Sequence, residues 1–211
     1  MAFIVFEGLD GSGKTSLIQK LKDYVTHLGI VCTVTREPGG TSLGDEIRKI
    51  LLRTNAEVPV PECEILLYEA IRAQHVATVL KPALKKQSWV LCDRFTGSTI
   101  AFQAAGRSLS LTEAVWLNEF ATRGLKPDLN ILLDLSPELS LGRQKIRIQT
   151  TGLAADRFEL EKQEFHEKVR QGYLHQASLD PKNWFVLDAS KSLEELFTLV
   201  LQELKNRKWL N

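Results

Sequence analysis

Residues Gly8 to Thr15 read Gly-Leu-Asp-Gly-Ser-Gly-Lys-Thr, and this octapeptide constrains the fold more than any other part of the chain. It is a complete G-x-x-x-x-G-K-[ST] pattern in the context that gives the pattern meaning. The apolar run Phe3–Glu7 before it reads as a buried strand, and Leu17, Leu21, Val25 and Leu28 after it fall on one helical face. Glycines let the backbone curl until successive N–H groups point at one anion, and the start of the next helix adds a favourable dipole. Gly8, Leu9, Asp10, Gly11, Ser12, Gly13, Lys14 and Thr15 are therefore assigned to a nucleoside triphosphate. Lys14 would reach its β- and γ-phosphates, and the Thr15 hydroxyl would ligate Mg2+. The plainer reading, a glycine-rich turn that matches by chance, has to ignore the strand and helix on either side.

Four further strand candidates follow, at Val31–Arg36, Trp89–Asp93, Leu129–Asp134 and Trp184–Asp188, with helical periodicity between them. Strands that are apolar throughout and separated by helices predict a mainly parallel sheet covered on both faces. The expected fold is α/β: a P-loop architecture with a five-stranded parallel sheet flanked by helices, as one domain over residues 1–211. Ser192 and Glu195 stand at capping-box spacing before a stripe of Leu193, Leu196, Phe197, Val200, Leu201 and Leu204. Ser110 and Glu113 start the helix of Trp116 and Phe120 in the same way. The segment from Arg143 to Glu159 is different: polar, basic and interrupted by Thr150-Thr151-Gly152, it is expected to be an exposed mobile lid between two helices.

A phosphate-binding loop does not choose among kinase, GTPase and ATPase. The nearest match to a guanine-reading Asn/Thr-Lys-x-Asp is Leu125-Lys126-Pro127-Asp128, which lacks the first residue and precedes a strand instead of following one. Arginines close two strands instead: Arg36 begins Arg-Glu-Pro-Gly-Gly-Thr, and Arg94 follows Asp93. In an open α/β sheet ligands bind beyond the carboxyl ends of the strands, so both guanidiniums are placed to meet a second phosphate next to the triphosphate. Surface salt bridges are the bland alternative for either arginine alone. A second anion suggests a phosphate acceptor, hence a nucleotide kinase.

The blocks TREPGGTSLGDEIR, LLYEAIRAQH, DRFTGSTIAFQAAGR, LKPDLNILLDL, DRFE and FHEKVRQGY, together with the phosphate loop, run from Gly8 to Tyr173. In content and order they resemble the blocks of bacterial-type thymidylate kinases. The resemblance implies transfer from MgATP to dTMP, giving dTDP. It implies that Arg36 and Arg94 hold the acceptor 5′-phosphate, with Ser98 beside them, and that Asp10 accepts from the deoxyribose 3′-OH. Tyr68 would stack on thymine, Arg72 would reach a base carbonyl, Gln103 would read the pyrimidine edge and Phe102 would lie near the sugar. Asp93, ending a buried strand, would organise Mg2+, with Glu37 a secondary candidate for that shell or for the substrate.

Some members of that family carry an arginine in the phosphate loop where this chain has Gly11. The lid offers Arg143, Lys145, Arg147 and Arg157 instead; the resemblance assigns Arg143 to adenine and Arg147 to the transferred phosphate. The catalytic set is thus Lys14, Arg94 and Arg147. Two other readings stay open: another pyrimidine monophosphate kinase, and a P-loop NTP-binding protein that transfers nothing.

Charge helps to limit partners. Lys plus Arg number 27 and Asp plus Glu 26, for a formal net charge of +1, so any anion site must be built locally and no nucleic-acid or membrane surface is expected. Cys32, Cys63 and Cys92 form no CxxC pair, and the chain opens on Phe3–Phe6 with no basic n-region; reduced, buried thiols in a cytoplasmic protein are expected. The family resemblance also implies a homodimer.

Overall fold

The computed structural model describes residues 1–54, 56–152 and 154–210. Five strands, β1 (Phe3–Glu7), β2 (Cys32–Arg36), β3 (Trp89–Asp93), β4 (Leu129–Asp134) and β5 (Trp184–Asp188), form one sheet in the order β2-β3-β1-β4-β5. Every pairing is parallel. Among the described residues this matches the sheet expected from the sequence, with β2 starting one residue later than Val31.

The helices are α1 (Lys14–His27), α2 (Ser42–Leu52), α3 (Pro61–His75), α4 (Lys81–Lys85), α5 (Thr96–Thr99), α6 (Leu111–Thr122), α7 (Pro137–Thr151), α8 (Gln163–Leu179) and α9 (Leu193–Asn206). A π-helical stretch, Val76–Leu80, joins α3 to α4, and a second, Ile100–Gly106, extends α5. The second carries Phe102 and Gln103; widened helical turns of this kind recur at functional sites.

The central strands β3, β1 and β4 are largely apolar because both faces of the sheet are covered there. Ile4 and Phe6 of β1 pack with Leu17, Leu21 and Val25 of α1 and with Leu196, Val200 and Leu204 of α9. Phe3 and Val5 point the other way, toward Val76, Leu80 and Phe95. Each buried Leu in such a layer stabilises by about 1.5–3 kcal/mol. The expected α1 stripe stops at Val25, since Leu28 lies beyond the helix end and is half exposed. α9 begins with the predicted capping box of Ser192 and Glu195, and Ser110 caps α6.

The segment 143–159 departs from expectation. α7 takes up its first part, continuing to Thr151, where Gly152 ends it in the left-handed region. Farther along, Arg157, Phe158 and Glu159 are buried. The cysteines are free, but Cys63 is exposed rather than buried. No helix among the described residues is long and apolar enough to cross a membrane.

Candidate active site

The sheet register brings the strand ends together. Arg36 of β2 pairs with Asp93 of β3, and Asp93 pairs with Phe6 of β1, so both residues lie level with the start of the phosphate loop. Beyond this edge a cavity of about 490 Å3 is lined by Asp10, Gly11, Gly13, Lys14, Thr15, Arg36, Glu37, Tyr68, Arg72, Asp93, Arg94, Ser98, Phe102, Gln103 and Arg147. Most residues singled out in the sequence therefore meet in one crevice. Gly8, Leu9 and Ser12 shape the loop from outside the cavity, and Arg143 also stands outside it.

The loop has the backbone its glycines permit. Gly8 has φ +132°, and a Cβ there would stand 2.4 Å from the Leu133 carbonyl oxygen. At Gly11, φ is +77° and a Cβ would come within 3.3 Å of Cβ of Arg143. α7 is laid along the loop at this point: the Ser140 hydroxyl donates to the Asp10 carbonyl at 2.6 Å and Arg143 to the Gly11 carbonyl at 3.3 Å. A long side chain at position 11 would displace α7, so the cation absent from the loop and the arginines on α7 belong to one packing arrangement. Lys14 is buried, with Nζ donating to the carbonyls of Gly8 at 3.1 Å and Leu9 at 3.0 Å. Burial and the nearby Arg94 charge lower its pKa.

Arg94 holds the centre. Its backbone is left-handed at φ 69°, its Nη2 donates to Asp10 Oδ1 at 2.9 Å, and its Nη1 donates to Tyr173 Oη at 2.9 Å and Ser98 Oγ at 3.3 Å. The guanidinium also lies 4.9 Å from the centre of the Phe102 ring. Burial would raise the Asp10 carboxyl, but the charges of Arg94 and Lys14 outweigh it and hold the pKa at about 2.

Beneath this group sits a residue the sequence reading missed. Glu7, fully buried at the end of β1, accepts from the backbone N–H groups of Phe95 and Ser98 at 3.0 and 3.1 Å. It also accepts from the Ser98 hydroxyl at 2.7 Å and the Tyr173 hydroxyl at 2.9 Å. Burial pushes its pKa up, against the pull of Arg94. A buried carboxylate in an otherwise apolar strand, one residue before the loop, was the signal available.

The Thr15 hydroxyl donates to Asp93 Oδ2 at 3.2 Å, while the buried Asp93 Oδ1 has no hydrogen-bond partner. A hydroxyl and an orphaned carboxylate oxygen at the cavity floor suit a hard cation that takes oxygen ligands and is completed by phosphates and water. Glu37 does not join them. Its two oxygens accept from Arg72 Nε at 2.9 Å and from His75 Nδ1 at 2.9 Å, so here it supports Arg72.

Arg72 is itself more confined than expected. Nη2 donates to the Phe95 carbonyl at 3.0 Å and pairs with Glu37, while Nη1 faces Glu69, Thr99 and Asn118. All five N–H groups have protein acceptors, so a base carbonyl must displace one of them. Gln103 is buried and donates Nε2 to Glu64 Oε1 at 2.8 Å. Tyr68 packs edge-on against Phe158 with ring centres 6.2 Å apart, and burial raises its pKa.

The cavity also takes in Arg48, Leu52, Asp156 and Phe158, none of them anticipated as site residues. Asp156 and Phe158 lie in the turn after α7, where Asp156 Oδ1 accepts from the backbone N–H of Phe158 at 2.9 Å and of Glu159 at 3.0 Å. Of the four basic residues offered by this segment, Arg157 is unavailable to phosphate: it is buried, donating to Glu64 Oε2 at 2.8 Å and to the Leu51 carbonyl at 3.0 Å. Arg147 reaches the cavity from α7, held by one side-chain bond to Glu159 Oε2 at 2.7 Å.

Comparison with known proteins agrees with this geometry. A family model described as thymidylate kinase matches residues 6–200. A thymidylate kinase from Bdellovibrio bacteriovorus is 52% identical, the match covering 100% of this chain and 98% of that protein. One from Pelobacter propionicus is 44% identical, covering 97% of this chain and 94% of that protein. The crystal structure of thymidylate kinase from Ehrlichia chaffeensis superposes with a TM-score of 0.77 at 29% identity, covering 96% of this chain and 98% of that one.

Proposed function

The chain belongs to the thymidylate kinase family, and from that premise we propose that it transfers the γ-phosphoryl group of ATP to dTMP, forming dTDP and ADP, with the roles below. The observation that carries the reading is the meeting, in one crevice, of a phosphate-binding loop, the Arg36 and Arg94 guanidiniums and an aromatic-walled cavity at Tyr68, Phe102 and Phe158.

ATP lies with its phosphates on the Gly8–Thr15 loop, and Lys14 leaves its two carbonyl partners to meet the β- and γ-phosphates. Thr15 and Asp93 are the residues that would hold Mg2+, which would neutralise charge on the phosphates. Arg36 and Arg94 fix the dTMP phosphate so that one of its oxygens attacks the γ-phosphorus in line as the bond to the β-phosphate oxygen breaks. No side-chain nucleophile is needed. Asp10 stays ionised beside Arg94 and accepts from the 3′-OH. Phe102 packs against the sugar, Tyr68 and Phe158 flank the base, and Gln103 meets its edge. Arg147 exchanges Glu159 for the transferred group, adding charge where the transition state spreads it.

A homodimer is part of this proposal, supported by α6, whose Trp116 and Phe120 are 61% and 71% exposed and stack on each other with ring centres 5.7 Å apart. Its free cysteines suit a reducing cytoplasm.

The test is transfer from MgATP by the purified protein to dTMP, dUMP, UMP, CMP, AMP and GMP. Formation of dTDP with a clear preference for dTMP supports the assignment. The thymine methyl contributes only about 1–3 kcal/mol of discrimination against dUMP, so that ratio is the smaller one. Preference for a different monophosphate would keep the kinase and overturn the base pocket, and ATP hydrolysis without transfer would leave only the phosphate loop.

A further inference from the structure

Glu64 is a buried, multiply bonded side chain near the cavity that the reaction itself does not use. It lies in the first turn of α3 and is fully buried. Oε1 accepts from Gln103 Nε2 at 2.8 Å and from Arg107 Nε at 3.4 Å, and Oε2 accepts from Arg157 Nη2 at 2.8 Å. A carboxylate paired with two guanidiniums has only acceptors to offer. The amide of Gln103 must therefore turn its NH2 toward Glu64, and its orientation is set by chemistry and not by the shape of the pocket alone. A free glutamine amide is a symmetric reader, able to present either its oxygen or its nitrogen after a half-turn.

We infer that Glu64 is a specificity-determining positioning residue: by holding Nε2 of Gln103 it leaves Oε1 as the atom presented to N3 of the base, which admits keto pyrimidines and rejects cytosine. This rests on the dTMP reading of the cavity. Thymine carries a hydrogen on N3 and satisfies an acceptor placed there. Cytosine carries a lone pair on N3, so two acceptors face each other with no proton between them, and the buried amide oxygen stays unpaired. A site built around one hydrogen-bond pattern rejects the reversed pattern far more strongly than a pocket rejects a missing methyl. Turning Gln103 over would accommodate cytosine, but it would also bring its carbonyl oxygen against the Glu64 carboxylate. The same carboxylate ties this amide, through Arg157, to the turn bearing Asp156 and Phe158. Base selection and the far wall of the cavity are thus braced by one side chain.

The experiment compares kcat/KM for dTMP and dCMP, which share sugar and phosphate, in the whole protein, in Glu64→Gln, in Gln103→Leu and in the double variant. Glu64→Gln can accept from or donate to Gln103 and so frees the amide to turn. The expected result is a fall of at least about tenfold in the dTMP:dCMP ratio in Glu64→Gln. The ratio should not change further when Glu64→Gln is added to Gln103→Leu, where there is no amide to orient. Equal losses on both nucleotides, or a ratio change that persists in the Gln103→Leu background, would overturn the inference and leave Glu64 as a brace only. Should Glu64→Gln not fold, Glu64→Asp keeps a charge between the two arginines while drawing back from Gln103. It is judged by the same ratio, with equal losses again overturning the inference. Failure of the unsubstituted protein to phosphorylate dTMP would count against the thymidylate reading itself, a result the ratio in the variants cannot imitate.

Discussion

Arg94 and Arg147 both line the crevice, yet the Arg94 side chain is 12% exposed with three side-chain partners, whereas Arg147 is 42% exposed and, among the described residues, its side chain bonds to Glu159 alone. The contrast extends to their surroundings. Around Arg94 the polar groups of Glu7, Asp10, Ser98 and Tyr173 saturate one another inside the fold. Arg147 stands near the end of a helix whose following residues, Ile148 to Thr151, are exposed or half-exposed. A cation that must be in position before the acceptor arrives loses its freedom during folding, and several bonds offset that loss. A cation that engages the transferred group and then releases product keeps one bond that phosphate can replace.

The largest effect expected from breaking this comparison is at Lys14. Lys14→Met retains the apolar stem and removes the charge, and turnover should fall by roughly 10^2- to 10^3-fold, as when a preorganised transition-state donor is removed. Steady-state kinetics with saturating dTMP checks this, and a near-normal kcat would dissociate the lysine from the phosphates. Arg94→Ala tests the preassembled side as structure. It leaves Asp10 and Glu7 in the fold without their cation, and stability should fall by about 3–5 kcal/mol in urea titrations. The same pair shapes acid sensitivity. The folded pKa of Asp10, about 2, lies below the ordinary 3.8, so its contribution is present above about pH 4 and is lost as pH falls toward 2. Asp10→Asn should flatten the stability curve in that window and lower it by a roughly constant amount between pH 6 and 8.

Arg147→Ala should act on rate alone, lowering kcat by about 10- to 100-fold with little change in the KM for dTMP. A matching rise in KM would mean that Arg147 holds the acceptor and is as preassembled as Arg94. An unchanged kcat would move the clamp to Arg143.

The two regions also differed in how far the sequence disclosed them. The phosphate loop was legible to the residue because its glycines, lysine and threonine each answer a local backbone or charge requirement. The central strands were legible because burial on both faces makes them mostly apolar. Glu7 and Glu64 were not, since a carboxylate in an apolar segment acquires meaning only from donors 91 or 93 residues away, such as Ser98 and Arg157. Two charges between 143 and 159 were illegible for a related reason. The composition suggested exposure, but Arg157 and Glu159 are turned inward to meet Glu64 and Arg147. Local composition reports solvation only where no distant partner exists.

The smallest expected effect asks how Arg147 moves. Gly142 lies on α7 between Ser140, which is bonded to the phosphate loop, and Arg147; a Cβ at this glycine would meet nothing within 4 Å. Gly142→Ala therefore adds no clash and removes backbone freedom from the unfolded chain, so stability should rise by about 0.4–1 kcal/mol. Among the described residues Arg147 has one side-chain bond to exchange, a change its own rotamers can supply while the helix stays straight. Turnover of Gly142→Ala should accordingly equal that of the unsubstituted protein while its urea midpoint rises. A more stable variant with slower turnover would show that α7 bends at Gly142 during the cycle. The contrast between a fixed and a movable cation would then belong to two halves of one helix, and not to two side chains.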